Sequence, residues 1–211
     1  MSERQLLSEG HSEIVEKKSR FIGRALPITS EQQAQDVIKA IRKQYYDARH
    51  VCYAYCVDQL TRSSDDGEPS GTAGRPILDM IGYACVQNVL VVVVRYFGGV
   101  LLGTGGLTRA YGQTAKEALE AAEQMEILAG RKIELVCDYN DYGKVDYLVR
   151  TGQIPVYGSE FGAEVTFSVM LEEEKYEDFI KEVTDLSGGR VRIDAGNPLK
   201  YGLVGDEVRL L

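Results

Sequence analysis

The apolar run Val89-Leu90-Val91-Val92-Val93-Val94 stops abruptly at Arg95. β-Branched residues dominate it, and odd and even positions are equally apolar, so residues 89–96 read as a strand buried on both faces. Such a strand has to lie inside a packed core. The run is far shorter than the roughly 20 residues that cross a bilayer, so no membrane partner is expected. With 44% apolar and 27% charged residues, the chain has the makeup of an ordinary globular protein, and its 211 residues allow one large domain or two small ones.

Around this strand the pattern is α+β. Residues 14–28 are β-rich but carry Lys17, Lys18, Arg20 and Arg24, which suits a strand pair or one bent edge strand. Ser30 and Gln33 match a capping box that opens a helix to about Tyr46, with Ala34, Val37, Ile38, Ile41 and Tyr45 on one stripe. Residues 51–57 read as a strand. Residues 62–74 lack periodicity and form a long loop. Pro76 suits the first turn of a helix to about Val86. After the buried strand come Gly98, Gly99, Gly103, Gly105 and Gly106, then a helix over about 107–123. Gly112 inside that helix costs about 1 kcal/mol against Ala, which implies close packing of backbone on the sheet.

Near Gly130 the pattern restarts. A strand over 132–138, a helix over 141–150, a hairpin of 155–161 with 164–171, a helix over 172–186 and a strand from Val191 give the order β-α-β-β-α-β. That order matches the split βαβ, ferredoxin-like arrangement. Two α+β domains are expected, residues 1–130 and 131–211.

The formal net charge is -8. It opposes broad attraction to nucleic acid or anionic lipid. Residues 1–130 carry a net of -2 and residues 131–211 a net of -6, so any phosphate-attracting surface belongs to the first segment. Lys17, Lys18, Arg20 and Arg24 offer one basic edge, and Arg49, Arg75, Arg95 and Arg109 another. No amino-terminal stretch joins a basic start to an apolar segment, which gives the expectation of a cytoplasmic chain with reduced thiols. Cys52, Cys56, Cys85 and Cys137 lack zinc-ligand spacing and read as buried small side chains. No cofactor and no resident metal are expected.

Three segments carry candidate chemistry. The turn from Arg95 to Arg109 has the strand, glycine-rich turn and helix order that aims backbone N–H groups at an anion. It is not a Walker A loop, because Thr104 stands where the lysine belongs. Nor does it fit a dinucleotide fingerprint. Structural and anion-binding readings both remain open, with Thr104 as helix N-cap and Thr104, Gly105, Gly106, Leu107 and Arg109 as the anion-facing set. The second segment gathers Asp65, Asp66 and Glu68 within four positions. These carboxylates either hold a hard cation such as magnesium or pair with Arg75 or Arg95. The third is Arg49-His50, where His50 is a structural histidine or an acid–base group without an assignable nucleophile. Arg95, at the end of an apolar strand, needs a carboxylate or phosphate partner. It either locks the acidic loop or marks a binding surface. No catalytic residue is assigned.

Taken together, Lys18-Ser19-Arg20-Phe21-Ile22-Gly23, Arg49-His50, Asp66-Gly67-Glu68-Pro69-Ser70-Gly71-Thr72-Ala73-Gly74 and Arg95-Tyr96-Phe97-Gly98-Gly99 resemble the YigZ/IMPACT family. The match covers residues ~18–123, and residues 131–211 look like the second domain of its bacterial members. The resemblance implies a first domain with the left-handed βαβ architecture of a ribosomal protein domain, GHMP kinases and domain IV of elongation factor G. It implies a second, ferredoxin-like domain similar to domain V of that factor. In eukaryotes, IMPACT-type proteins modulate a starvation-sensing initiation-factor kinase by competing for its activator. The implied function is a non-enzymatic regulator linked to translation, with ribosome, RNA or a translation-associated protein as partner. The alternative is a phosphate-handling enzyme that uses the glycine-rich turn and magnesium on Asp65, Asp66 or Glu68.

Overall fold

The computed structural model describes residues 3–205 and 207–211. It is a mixed α+β fold whose packing divides into two compact units, the first ending at Met125 and the second spanning Glu126–Leu211. The first unit contains β1 (Glu3–Leu6), β2 (Gly10–Glu16), β3 (Ser19–Pro27), α1 (Glu31–Gln44), β4 (His50–Val57), β5 (Leu60–Ser64), α2 (Gly74–Ala84), β6 (Val86–Gln87), β7 (Val89–Tyr96) and α3 (Thr104–Ala121). Its main sheet has the order β2-β3-β7-β4-β5 with β7 at the centre, and its neighbours in that order pair antiparallel. The short β1 and β6 pair parallel.

Alternation along β7 explains its composition. Leu90, Val92 and Val94 pack into a core with Ala34, Ile38 and Ile41 of α1. Val89, Val91 and Val93 point the other way, into a core with Ile77 and Ile81 of α2 and Leu107, Ala110 and Tyr111 of α3. Both faces of the strand are therefore covered by helices, and Arg95 continues the odd-numbered side. Helix α1 starts where Ser30 Oγ accepts the Gln33 N–H at 3.2 Å. The Gln33 side chain returns to the Thr29 N–H at 2.7 Å, one residue before the position a capping box uses.

Three local expectations fail here for identifiable reasons. Residues 62–64, expected in a loop, continue β5, because Leu60 to Ser64 pair with Val57 to Tyr53 of β4. Edge pairing overrides their polar composition. Helix α3 begins at Thr104 rather than near Leu107, with Gly103 as N-cap at φ 72°. That left-handed backbone favours glycine, so the chain enters the helix early and Thr104 does not act as its cap. Close approach of α3 to the sheet comes from strand glycines, not from Gly112. A Cβ on Gly23 would lie 2.9 Å from the Thr114 carbonyl oxygen, whereas one on Gly112 meets only Pro76 Cβ at 4.0 Å.

The second unit contains most of β8 (Gln124–Cys137), then α4 (Tyr139–Thr151), β9 (Val156–Phe161), β10 (Val165–Glu172), a 3-10 turn at Glu173–Lys175, α5 (Tyr176–Ser187), β11 (Arg192–Val204) and β12 (Glu207–Leu210). Strand β8 starts well before Gly130, where the sequence pattern restarts. The strands run β12-β11-β8-β10-β9, each pair antiparallel. Ile133, Leu135, Val165, Phe167 and Val169 share one core with Val145 and Val149 of α4 and Phe179 and Val183 of α5. Asp138 caps α4 by accepting the Asn140 and Asp141 N–H groups, both at 2.9 Å. Among the described residues, no helix is long and apolar enough to cross a membrane.

Candidate functional site

Arg95 leaves the centre of the sheet on the α2/α3 side and is 5% exposed. Its Nη1 donates to Glu68 Oε1 at 2.6 Å, and its Nη2 donates to Ser19 Oγ at 3.3 Å. The guanidinium also lies 5.4 Å from the Phe21 ring centre and 5.5 Å from that of Phe97. Its Nε is buried without a hydrogen-bond partner. A buried cation in such surroundings requires a paired anion, and Glu68, itself 8% exposed, supplies it. The same Glu68 oxygen accepts the Tyr111 hydroxyl at 2.8 Å. Cys52 Sγ lies 3.4 Å from that hydroxyl and 3.0 Å from the Asp65 carbonyl oxygen. Burial pushes the Cys52 thiol up to about 12 and raises the Tyr111 hydroxyl as well, so neither is poised as a nucleophile.

The acidic loop is held shut by protein donors. Asp65 accepts the backbone N–H groups of Gly71, Ala73 and Gly74 at 2.8, 2.9 and 2.9 Å, closing the loop onto the start of α2. Burial alone would raise its carboxyl, but those three donors outweigh it and hold the group below its ordinary value. Asp66 takes a bidentate bond from Arg42 at 2.7 and 3.1 Å and the Val51 N–H at 2.7 Å. His50 Nδ1 donates to the Asp66 carbonyl oxygen at 2.8 Å, and its Nε2 lies 3.8 Å from Glu68 Oε1. His50 is thereby a fixed member of the loop. Arg75, considered above as a partner for these carboxylates, bonds Asp79 at 2.8 Å instead. Among the described residues, no three His, Cys, Asp or Glu side chains come together to hold a metal ion.

The glycine-rich turn separates from this knot. Gly98 sits where any Cβ would lie 2.0 Å from the Lys18 carbonyl carbon, so it locks the end of β7 against the β2–β3 turn. Beyond it, Thr104, Gly105 and Gly106 open α3, while the Leu107 N–H is already bonded to the Gly103 carbonyl at 3.0 Å. Leu107 therefore offers no free amide. Arg109 is exposed, and its Nη1 lies 3.7 Å from the place a Gly105 Cβ would take.

Of the two basic edges, much is neutralised. Arg20 pairs with Glu13 at 2.7 Å, and Arg24 pairs with Glu9. What remains at the end of the sheet is Lys17, Lys18 and Arg49, with the Arg49 guanidinium 5.8 Å from the Phe97 ring centre. Phe97 is 39% exposed, and Val100 and Leu101 beside it in sequence are exposed too. Sequence reasoning missed Tyr111, Cys52, Ser19 and Arg42 as members of the knot. Their roles depend on contacts across the fold, which local sequence pattern does not display.

A family model described as the Impact N-terminal domain matches residues 17–119, and one described as a domain of unknown function (DUF1949) matches residues 135–190. The chain is 37% identical over 190 residues to IMPACT family member YvyE of Bacillus subtilis, covering 89% of this chain and 88% of that one. It is 34% identical over 182 residues to IMPACT family member YigZ of Escherichia coli, covering 84% and 89%. A solved structure described as that of a hypothetical protein is similar with a TM-score of 0.58 at 31% identity, covering 93% of this chain and 98% of that one.

Proposed function

This chain belongs to the IMPACT family, and on that premise we propose that it is a non-enzymatic regulator linked to translation whose first unit binds ribosomes or structured RNA. The observation that carries the reading is the basic and aromatic ridge at the end of the first sheet. Among the described residues Lys17, Lys18 and Arg49 have no ion-pair partner, and Phe97 presents a half-exposed ring beneath Arg49. Cations interleaved with an aromatic face suit phosphates and unstacked bases. The chain is acidic overall, so binding must come from this local cluster. The same reading assigns the first unit to the left-handed βαβ class and the second to the ferredoxin-like class. The antiparallel order β11-β8-β10-β9, with α4 and α5 in one core, supports the latter.

The test is cosedimentation with ribosomes across a salt series, for the full chain and for Lys18→Glu and Arg49→Glu. Binding is expected at low salt, and each lost phosphate contact should reduce the log–log salt slope by about 0.7–0.9. Absence of binding at low salt overturns the reading. Salt-insensitive, nuclease-resistant capture points instead to a translation-associated protein partner. The phosphate-handling alternative needs Asp65, Asp66 or Glu68 free for magnesium, and all three are engaged by donors of the protein itself.

A further inference from the structure

We propose that the groove between α2 and α3 is a binding site for a small amphipathic anion, an apolar or aromatic body carrying a single negative charge. The groove encloses about 660 Å³ and is backed by Ile14 of β2. That is within the size range of small-molecule sites, about 300–1,000 Å³. Its apolar wall is made by Pro76, Met80 and Tyr83 of α2, and Tyr83 is 75% exposed. An aromatic ring left open along a concave wall offers a stacking surface for a flat ligand.

Gly112 supplies an independent observation. It lies inside α3, where glycine costs about 1 kcal/mol against alanine, and it lines this groove. No packing contact explains it, since an added Cβ would meet only Pro76 Cβ at 4.0 Å. Gly23, by contrast, is pressed against the Thr114 carbonyl and has no room for a side chain. The helix thus gives up stability at Gly112, a buried part of the groove floor where, among the described residues, only Pro76 Cβ approaches the place of a side chain. A ligand seated between α2 and α3 meets helix backbone there rather than a side chain.

The unpaired charges narrow the ligand class. Asp79 lines the groove but is held by Arg75 at 2.8 Å. Arg109 and Glu16 also line it, and among the described residues neither has an ion-pair partner. Arg109 lies along the start of α3, near Gly105, and attracts one anionic group there. Glu16, on the β2 wall, repels a second. The complement is a molecule with one negative charge and an apolar remainder.

The probe is 8-anilinonaphthalene-1-sulfonate, an aromatic monoanion whose fluorescence reports apolar binding, titrated into the full chain. Saturable one-to-one binding is expected. Gly112→Leu should weaken it by about tenfold or more, because the side chain fills the groove. Arg109→Gln should weaken it and Glu16→Gln should tighten it, each by about threefold. Tyr83→Ser, on an exposed helix face, serves as the second variant should Gly112→Leu fail to fold, and it should also weaken binding. Phenylacetate and methyl phenyl phosphate, a monoanionic diester, serve as competitors that distinguish a carboxylate ligand from a phosphate one. Binding that ignores these four substitutions overturns the proposal, and a fall with Tyr147→Ser, an exposed ring of the second unit, would then place the probe there. Equal response of the Arg109 and Glu16 variants in one direction overturns it as well.

Discussion

Arg95 is held by a carboxylate, a hydroxyl and two aromatic rings at once, and its burial makes each partner costly to remove. Replacing Arg95 or Glu68 alone by alanine leaves the other charge buried and unpaired, which should destabilise the first unit by about 3–5 kcal/mol. The double replacement Arg95→Met with Glu68→Leu should recover a large part of that loss. Urea denaturation of the two single variants and the double checks this, and single-variant losses below about 1 kcal/mol would show the pair to be solvated. In the second unit, hydrogen bonds from Arg190 and Lys144 hold the Asp141 carboxyl down at about 2 against an ordinary 3.8. A carboxyl lowered on folding contributes fully above its ordinary value, and the contribution is lost as pH falls through the folded one. Stability of the second unit should therefore decline between about pH 4 and pH 2, and Asp141→Asn should flatten that decline when thermal midpoints are measured across it. The need of Arg95 for an anion was readable from its place after six apolar residues. The choice of Glu68 over Asp65 or Asp66 was not, because it depends on which carboxylate the closed loop turns inward.

At the scale of elements, α3 joins the two uses made of glycine. Gly103 permits the left-handed entry that starts the helix, whereas Gly112 answers no steric demand of the protein. Gly112→Ala should therefore raise the stability of the first unit by about 0.5–1 kcal/mol, seen as a higher urea midpoint at unchanged slope. A destabilised variant would mean that backbone contact at Gly112 matters after all. The opening amides of α3 give a second test. Phosphate titration followed by amide NMR should shift Thr104, Gly105 and Gly106 and leave Leu107 nearly still, since the Leu107 N–H is already bonded within the helix. If none of these amides moves while the turn is visible, the turn is purely structural. An uninterrupted apolar run made β7 legible and a helical stripe did the same for α1, because both are local signals. The start of α3 and the whole of β5 were set by backbone geometry and by strand pairing, and neither leaves a mark in hydrophobic pattern.

At the scale of the whole molecule, each unit buries an apolar core of its own, which is the condition for folding alone. Where the division falls decides how stable an isolated second unit is. A cut before Arg131, the place suggested by the break in pattern at Gly130, removes Glu126 to Gly130 from β8. Those residues pair with Leu203 to Leu199 of β11, so the cut strips the partner from the half of β11 that continues into the β12 hairpin. It also uncovers Tyr201, which is fully buried opposite Leu128. Residues 126–211 expressed alone should melt cooperatively, and residues 131–211 should melt at a clearly lower temperature or fail to melt cooperatively. Calorimetry of the two fragments measures the difference. An unfolded 126–211 fragment would show that the second core depends on the first, and equal melting of both would show that the early part of β8 adds nothing. The composition break marks where turn-forming residues end, whereas the physical boundary lies where strand pairing begins, and a long strand such as β8 separates the two.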